Sequence, residues 1–147
     1  MEIAILGLGC FWDPEIKFSK LNGIIKTEVG YCGGNNSQTS YKEVCTGSTN
    51  HAEVVKLDFD PKIISYEKIL KFFFEIHDPT TLNSQGPDFG TQYRSEIFYL
   101  NDQQKISAEQ MIKKENLKLS GKVVTRTSLV KNYCPAEEYH QRYLEKR

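Results

Sequence analysis

The 147 residues suit a single domain, 1–147, with a real core, and nineteen basic side chains balance nineteen acidic ones. That balance offers no basic stripe for nucleic acid and no acidic arm, and no apolar run is long enough to span a bilayer. Four cysteines, at 10, 32, 45 and 134, form no Cys-x-x-Cys pair, which disfavours a structural zinc site or a redox dithiol. Met1-Glu2 enters a strand at once, without the basic and apolar regions of a signal peptide, so the thiols are expected to be free, in a cytoplasmic protein.

Ile3 to Leu8 reads as a buried strand and Phe11 to Leu21 as a helix. Cys10 therefore falls at a strand-to-helix turn, among the free N–H groups of a helix start. The partial positive charge there favours an anion and predicts a thiol with a depressed pKa, nucleophilic near neutral pH. Phe11 and Trp12 beside it suit an apolar ligand, although position alone fits Cys10 as a small core residue as well. Pro14 suits a first helical turn, and Asp13 adds a negative charge that works against the thiolate. Ile24 to Tyr31 reads as a second strand, ending at Gly33-Gly34, and Asn35 to Ser40 as a polar loop. Glu53 to Phe59 alternates inward Val55, Leu57 and Phe59 with outward charges, a half-buried strand ended by Asp60-Pro61.

Ser65 then caps a helix whose apolar face is Tyr66, Ile69, Leu70, Phe73 and Phe74. Asp78 to Tyr93 is long and aperiodic, with Pro79, Gly86, Pro87 and Gly90, the mark of a functional loop. Ser95 to Leu100 is a further strand, Asn101 caps a helix to about Leu119, and Val123 to Val130 is a last strand. A short helix from Ala136 to Glu145 is expected to put Ala136, Tyr139, His140, Tyr143 and Leu144 on one face. The order β-α-β-β-α-β-α-β-α, with right-handed crossovers, predicts an α/β (α+β) fold. Its expected form is a mixed sheet with packed helices, a ferredoxin-like two-layer plait.

Five segments carry the chemistry: Gly9-Cys10-Phe11-Trp12; Gly30-Tyr31-Cys32-Gly33-Gly34; Tyr41 to Val44 with Gly47 to Val55; His77 to Thr81 with Gln85 to Asp88 and Gly90 to Ser95; and Ala136 to Gln141. In this order, over nearly the whole chain, they resemble the peptide methionine-(S)-sulfoxide reductases, the A class. The resemblance implies that Cys10 attacks the sulfur of methionine sulfoxide, releases methionine and becomes a sulfenic acid. It implies that Glu53 supplies a proton to the departing oxygen, that Tyr41 and Tyr93 hold that oxygen, that Phe11 and Trp12 form the slot for the S-methyl group, and that Asp88 orders the site. The bland alternatives are a solvated edge charge for Glu53, half-buried tyrosines, and a core tryptophan.

The resemblance further implies no bound cofactor, no metal, and thioredoxin or another thiol as electron donor. The substrates would be oxidised proteins and free methionine sulfoxide, and a monomer is expected. Asn50 stands where glycine is usual, and tolerates a positive φ. Many members carry further cysteines in a C-terminal tail, whereas this sequence has none after Cys134. The sulfenic acid is then resolved by Cys134, by Cys32, or directly by an external thiol, with Cys45 passive. His140 reads as a core or site-supporting histidine, and His51 as a residue that orients the neighbouring loop or Glu53. Three rivals remain to be weighed. His51-Ala52-Glu53 matches half of a zinc deaminase signature, without its Pro-Cys-x-x-Cys partner. Cys10 with His51, His77 or His140 would make a hydrolase. A domain that binds oxidised methionine without turnover is the third.

Overall fold

The computed structural model describes residues 1–147. Strands and helices follow as β1 (Glu2–Leu8), α1 (Trp12–Ser19), β2 (Ile24–Cys32), α2 (Tyr41–Cys45), β3 (Ala52–Phe59), α3 (Tyr66–Glu75), β4 (Ser84–Gln85), β5 (Asp88–Phe89), β6 (Ser95–Tyr99), α4 (Asp102–Lys118), β7 (Arg126–Leu129) and β8 (Cys134–Pro135). Six strands form one mixed sheet in the order β7-β6-β1-β3-β2-β8. All its pairs are antiparallel except β6 with β7. The remaining two strands, β4 and β5, form a separate hairpin. No helix is long and apolar enough to cross a membrane.

Strand periodicity explains the layers. Successive side chains point to opposite faces, and β1 and β3 are apolar on both. Ala4, Leu6, Leu8, Val55, Leu57 and Phe59 pack into the main core with Phe18 of α1, Ile69, Leu70 and Phe73 of α3, and Ala108 of α4. Ile5, Ala52 and Val54 face the other way, into a smaller cluster with Cys32 and Phe98, covered by Val130 and Tyr133. The two long helices start where their caps predict. The Ser65 hydroxyl accepts from the Lys68 N–H, and Asn101 Oδ1 accepts from the Gln104 N–H. All five residues expected on the inner face of α3 are buried.

Three expectations need correction. The helix expected over Ala136–Glu145 does not form; one 3-10 turn, Glu138–His140, runs into further turns over 141–145, and the segment is an irregular strap. The strap is fixed by distant partners instead. Gln141 Nε2 donates to the Val29 and Ala136 carbonyls and its Oε1 accepts from the Val29 N–H. The Arg142 N–H donates to Glu15 of α1, and Arg142 is left-handed, with φ of 50°. The expected loop Asn35–Ser40 is present, and between it and β3 stands α2, a single short helix capped by Ser40, which apolar periodicity could not reveal. The long Asp78–Tyr93 segment is ordered by the β4-β5 hairpin and a 3-10 turn at Thr91–Tyr93. The last predicted strand is confined to Arg126–Leu129.

Candidate active site

Cys10 lies in the turn between β1 and α1, half-buried. Gly9 before it has φ of 96°, and a Cβ there would stand 2.8 Å from Gln85 Cβ and Cγ. Only glycine meets both demands, and the contact places the β4-β5 hairpin over the turn. The Trp12 N–H points at the Cys10 sulfur and favours its thiolate. Burial outweighs that help. It pushes the thiol up to about 11, with Glu53, Asp88 and Asp13 adding smaller repulsion. The depressed pKa expected from a helix start is thus absent, because desolvation in an aromatic pocket exceeds what one N–H and a short helix return.

Glu53, at the head of β3, is 1% exposed, not a solvated edge charge. Its Oε1 accepts from the Phe11 N–H at 3.2 Å. Burial lifts the carboxyl to about 8, against the Phe11 N–H and with some help from the Asp88 charge. At neutral pH Glu53 therefore holds a proton, and it is hydrogen-bonded to Phe11, the residue that follows Cys10. The hydroxyl of Tyr93 is raised to about 12, by burial first and then by Glu53, Cys45, Asp88 and Cys10. Tyr41, the first residue of α2, titrates well above the ordinary tyrosine range, mainly through burial and then through the neighbouring Cys45 thiol. Both phenols stay protonated donors across the physiological range. Asp88 enters from β5, close enough for its charge to act on Cys10, Glu53 and Tyr93.

The apolar wall is built by stacking. Phe11 is buried against Tyr31 and His140, with ring centroids 5.8 and 5.3 Å away. Trp12 stacks on Tyr143 at 3.9 Å, and its Nε1–H donates to His140 Nδ1 at 3.1 Å. An Nδ1 that accepts leaves the proton of the neutral ring on Nε2, which is buried without a partner. Burial holds His140 below the usual histidine range, which preserves that acceptor. Glu137 is a residue whose work the motif alone did not reveal. Its two oxygens accept from the Tyr31 hydroxyl at 2.7 Å and the Tyr41 N–H at 2.9 Å, anchoring α2 to the strap. An acid before an aromatic-histidine pair was visible, but its partners lie 96 and 106 residues away.

The structure therefore brings together Cys10, Phe11, Trp12, Tyr41, Glu53, Asp88 and Tyr93. The other cysteines divide. Tyr31 stands opposite Glu53 on β3 and opposite Cys134 on β8, so Cys134 shares the sheet face of Glu53. Cys134 is half-buried, its Sγ 3.7 Å from the Thr39 carbonyl. Cys32, the next residue after Tyr31, faces the opposite side, 0% exposed, with Sγ 3.4 Å from the Lys131 carbonyl. It is not brought to Cys10. His51 bonds the Asn36 carbonyl at 2.9 Å and orders the loop rather than Glu53. His77 engages the Phe73 carbonyl and the Ser95 hydroxyl with its two nitrogens. No histidine hydrogen-bonds Cys10, which removes the hydrolase reading. No group of three His, Cys, Asp or Glu side chains is placed to hold a metal ion, against the deaminase reading.

A family model described as peptide methionine sulfoxide reductase matches residues 2–147. A relative from Pelagibacter ubique (strain HTCC1062), named peptide methionine sulfoxide reductase MsrA, is 84% identical over the whole of both chains. The MsrA of Saccharolobus solfataricus is 49% identical, covering 99% of this chain and 82% of its own. Among solved structures, reduced Mxr1 from Saccharomyces cerevisiae superposes with a TM-score of 0.94 at 41% identity, covering 99% of this chain and 85% of that one. Methionine sulfoxide reductase A of Corynebacterium diphtheriae gives 0.87 at 34% identity, covering 99% and 74%.

Proposed function

The chain belongs to the peptide methionine sulfoxide reductase family, and we propose from that premise how its own residues perform the reaction. It is a thiol-dependent enzyme of the A class, converting methionine-S-sulfoxide to methionine. The observation that carries the assignment of roles is a protonated carboxyl, Glu53, pinned at the Phe11 N–H beside Cys10.

The S-methyl group enters between Phe11 and Trp12. The sulfoxide oxygen accepts from protonated Glu53 and from the Tyr41 and Tyr93 hydroxyls, with Asp88 ordering the approach. Polarising that oxygen leaves positive charge on the sulfur, facing Cys10. A nearby positive charge favours the thiolate, so the substrate itself supplies the activation that the empty site withholds. Cys10 sulfur bonds to the substrate sulfur as Glu53 protonates the oxygen. The substrate S–O bond then breaks, the hydroxyl passes to the Cys10 sulfur, and the S–S bond breaks with its electron pair returning to methionine, so the sulfoxide is reduced by two electrons and the thiol is oxidised to a sulfenic acid. The proton lost by Cys10 makes good the one lent by Glu53. Because the substrate sulfur is chiral, a fixed oxygen cradle and a fixed methyl slot accept one epimer.

Resolution follows by thiol attack on the sulfenic acid, forming a disulfide and water. Cys134 is the internal thiol we place first, since it is half-exposed and shares the face of Glu53. Thioredoxin or a similar thiol completes the cycle. Substrates are oxidised proteins and free methionine sulfoxide, and no bound cofactor or metal enters any step. We take residues 1–147 as one domain acting as a monomer, since one chain of this length supplies every residue the proposed reaction needs. Four free cysteines suit a reducing, cytoplasmic setting. The run β6-β1-β3-β2, antiparallel throughout with helices between, supports a ferredoxin-like plait as the core of the sheet.

A single turnover without reductant tests the assignment. Glu53→Gln should slow methionine release by about 100-fold or more, the usual worth of a general acid, and wild-type release should fall as pH rises through about 8. Release by Glu53→Gln at the wild-type rate contradicts the role. Peptide mapping of the same sample reads the resolver: a Cys10–Cys134 disulfide supports it, and a persisting sulfenic acid refutes an internal one.

A further inference from the structure

A cavity of about 330 Å³ opens beside the sheet, and no residue lining it is hydrophobic. Four separate segments form it. They contribute Gly33 and Asn35 after β2, Asn50 before β3, Asn83 and Thr91 from the hairpin loop, and Arg126 from β7, with Arg94 as its most buried wall.

Arg94 is 8% exposed, and its hydrogen bonds are partly incomplete. Its Nε–H donates to Glu96 Oε1 at 2.6 Å, Nη1 to the Thr91 carbonyl at 2.9 Å, and Nη2 to the Asn50 carbonyl at 2.9 Å. A guanidinium carries five N–H groups, so two have no protein acceptor, in a side chain that lines the cavity. Leaving such donors unmet in a buried group is costly. Glu96 forms an ion pair with Arg94 through Oε1, and its second oxygen accepts from the Ser128 hydroxyl, so neither is left for the remaining N–H groups. Arg126 is exposed, joins no ion pair, and adds a positive charge with nothing to neutralise it. Gly33 keeps the wall open. It has φ of 82°, and a Cβ there would stand 2.6 Å from Phe98 Cε1 and 3.1 Å from Arg94 Nη2.

Two arginines, three carboxamides and the lack of any hydrophobic lining residue select an oxygen-rich anion. The guanidinium fork matches phosphate geometry in particular. The volume sits at the lower edge of small-ligand pockets, room for a phosphoryl group with a small substituent. We propose that this cavity is a binding site for a phosphate-class oxyanion, inorganic or esterified, held by Arg94 and Arg126. The proposal goes beyond the reductase chemistry and does not depend on it. An occupant would tie the loop that carries Asp88 and Tyr93 to the segment that leads into Glu53.

The test titrates inorganic phosphate, and phenyl phosphate in a parallel arm, into the full chain at ionic strength held constant with chloride. Backbone amide shifts of Gly33, Asn35 and Thr91 are followed by NMR. Saturable shifts at these amides are expected, weakened about tenfold or more in Arg126→Ala, the worth of a hydrogen bond to a charged group, with partial recovery in Arg126→Lys. Arg126 is on an edge strand, and unchanged shifts elsewhere verify that the variants fold. Tighter binding of phenyl phosphate assigns an ester, and equal binding the free anion. Shifts that grow without saturating, or that are indifferent to Arg126→Ala, overturn the proposal.

Discussion

At pH 7 Glu53 and Cys10 both hold their protons, and burial is the leading cause for each. An aromatic pocket that suits a methyl group is a poor solvent for a carboxylate or a thiolate, so the two demands of the site pull the same way. The cost becomes visible at high pH. Glu53 has a folded pKa of about 8 against an ordinary 4.5. Between those values the folded chain binds more protons than the unfolded one, so this residue's contribution lowers stability as pH rises from about 4.5, and the loss is complete above about 8. Glu53→Gln removes the titration. Compared with wild type, the variant should gain on the order of a few kcal/mol at pH 9 relative to pH 5, read by urea unfolding at both pH values. An unchanged difference between the two pH values would mean that Glu53 is ionised and solvated. The residues proposed as nucleophile and acid, Cys10 and Glu53, stand out in the sequence through their motifs. The direction of the Cys10 shift does not, because a helix start is visible in sequence whereas the desolvating pocket is assembled from β3, β5 and the strap.

Elements differ in how far they are written locally. Helix α3 carries its own instructions: a cap at Ser65, an apolar stripe at helical spacing, and burial of every residue in that stripe. The strap after β8 shows the same stripe and is not a helix, since Gln141 and Glu137 find better partners on β2 and α2 than a helix would give them. Spacing alone could not weigh bonds that span about a hundred residues. The hairpin over Cys10 is legible only as a loop, because two-residue strands carry no period. The face of Cys32 was within reach, since it follows inward-facing Tyr31 and strand alternation turns it away. The strap offers a direct check. Gln141→Leu leaves the Val29 N–H and the Ala136 carbonyl without the side chain that pairs them, while the Val29 carbonyl keeps the Ala136 N–H, and should cost about 2–6 kcal/mol, one to three for each buried group left unsatisfied. Trp12, the only tryptophan and stacked on Tyr143 of the strap, supplies the fluorescence signal for unfolding. A loss below about 0.5 kcal/mol would show the strap is held by its aromatic contacts alone.

Across the whole molecule, the sheet order explains why residues so far apart in sequence meet. The central position of β1 sets the turn at Cys10 beside the head of β3, which carries Glu53. The β4-β5 hairpin closes over that turn through Gln85 and Gly9, bringing Asp88 and Tyr93. The strap then seals the outer edge of β2, fixing Tyr41 through Glu137 and Trp12 through His140 and Tyr143. The sheet packs against α1, α3 and α4 in the larger of the two hydrophobic clusters, which includes Phe11 and is backed by Trp12 and Tyr41, so the site is continuous with the main core. A cradle fixed from so many sides should read the handedness of its substrate. The most direct measurement is single-turnover methionine release from the separated S and R epimers of N-acetyl-methionine sulfoxide, on wild type and on Cys10→Ser. The account predicts one equivalent of methionine from the S epimer alone, and none from the variant with either. Release from the R epimer, or any release by Cys10→Ser, would contradict it.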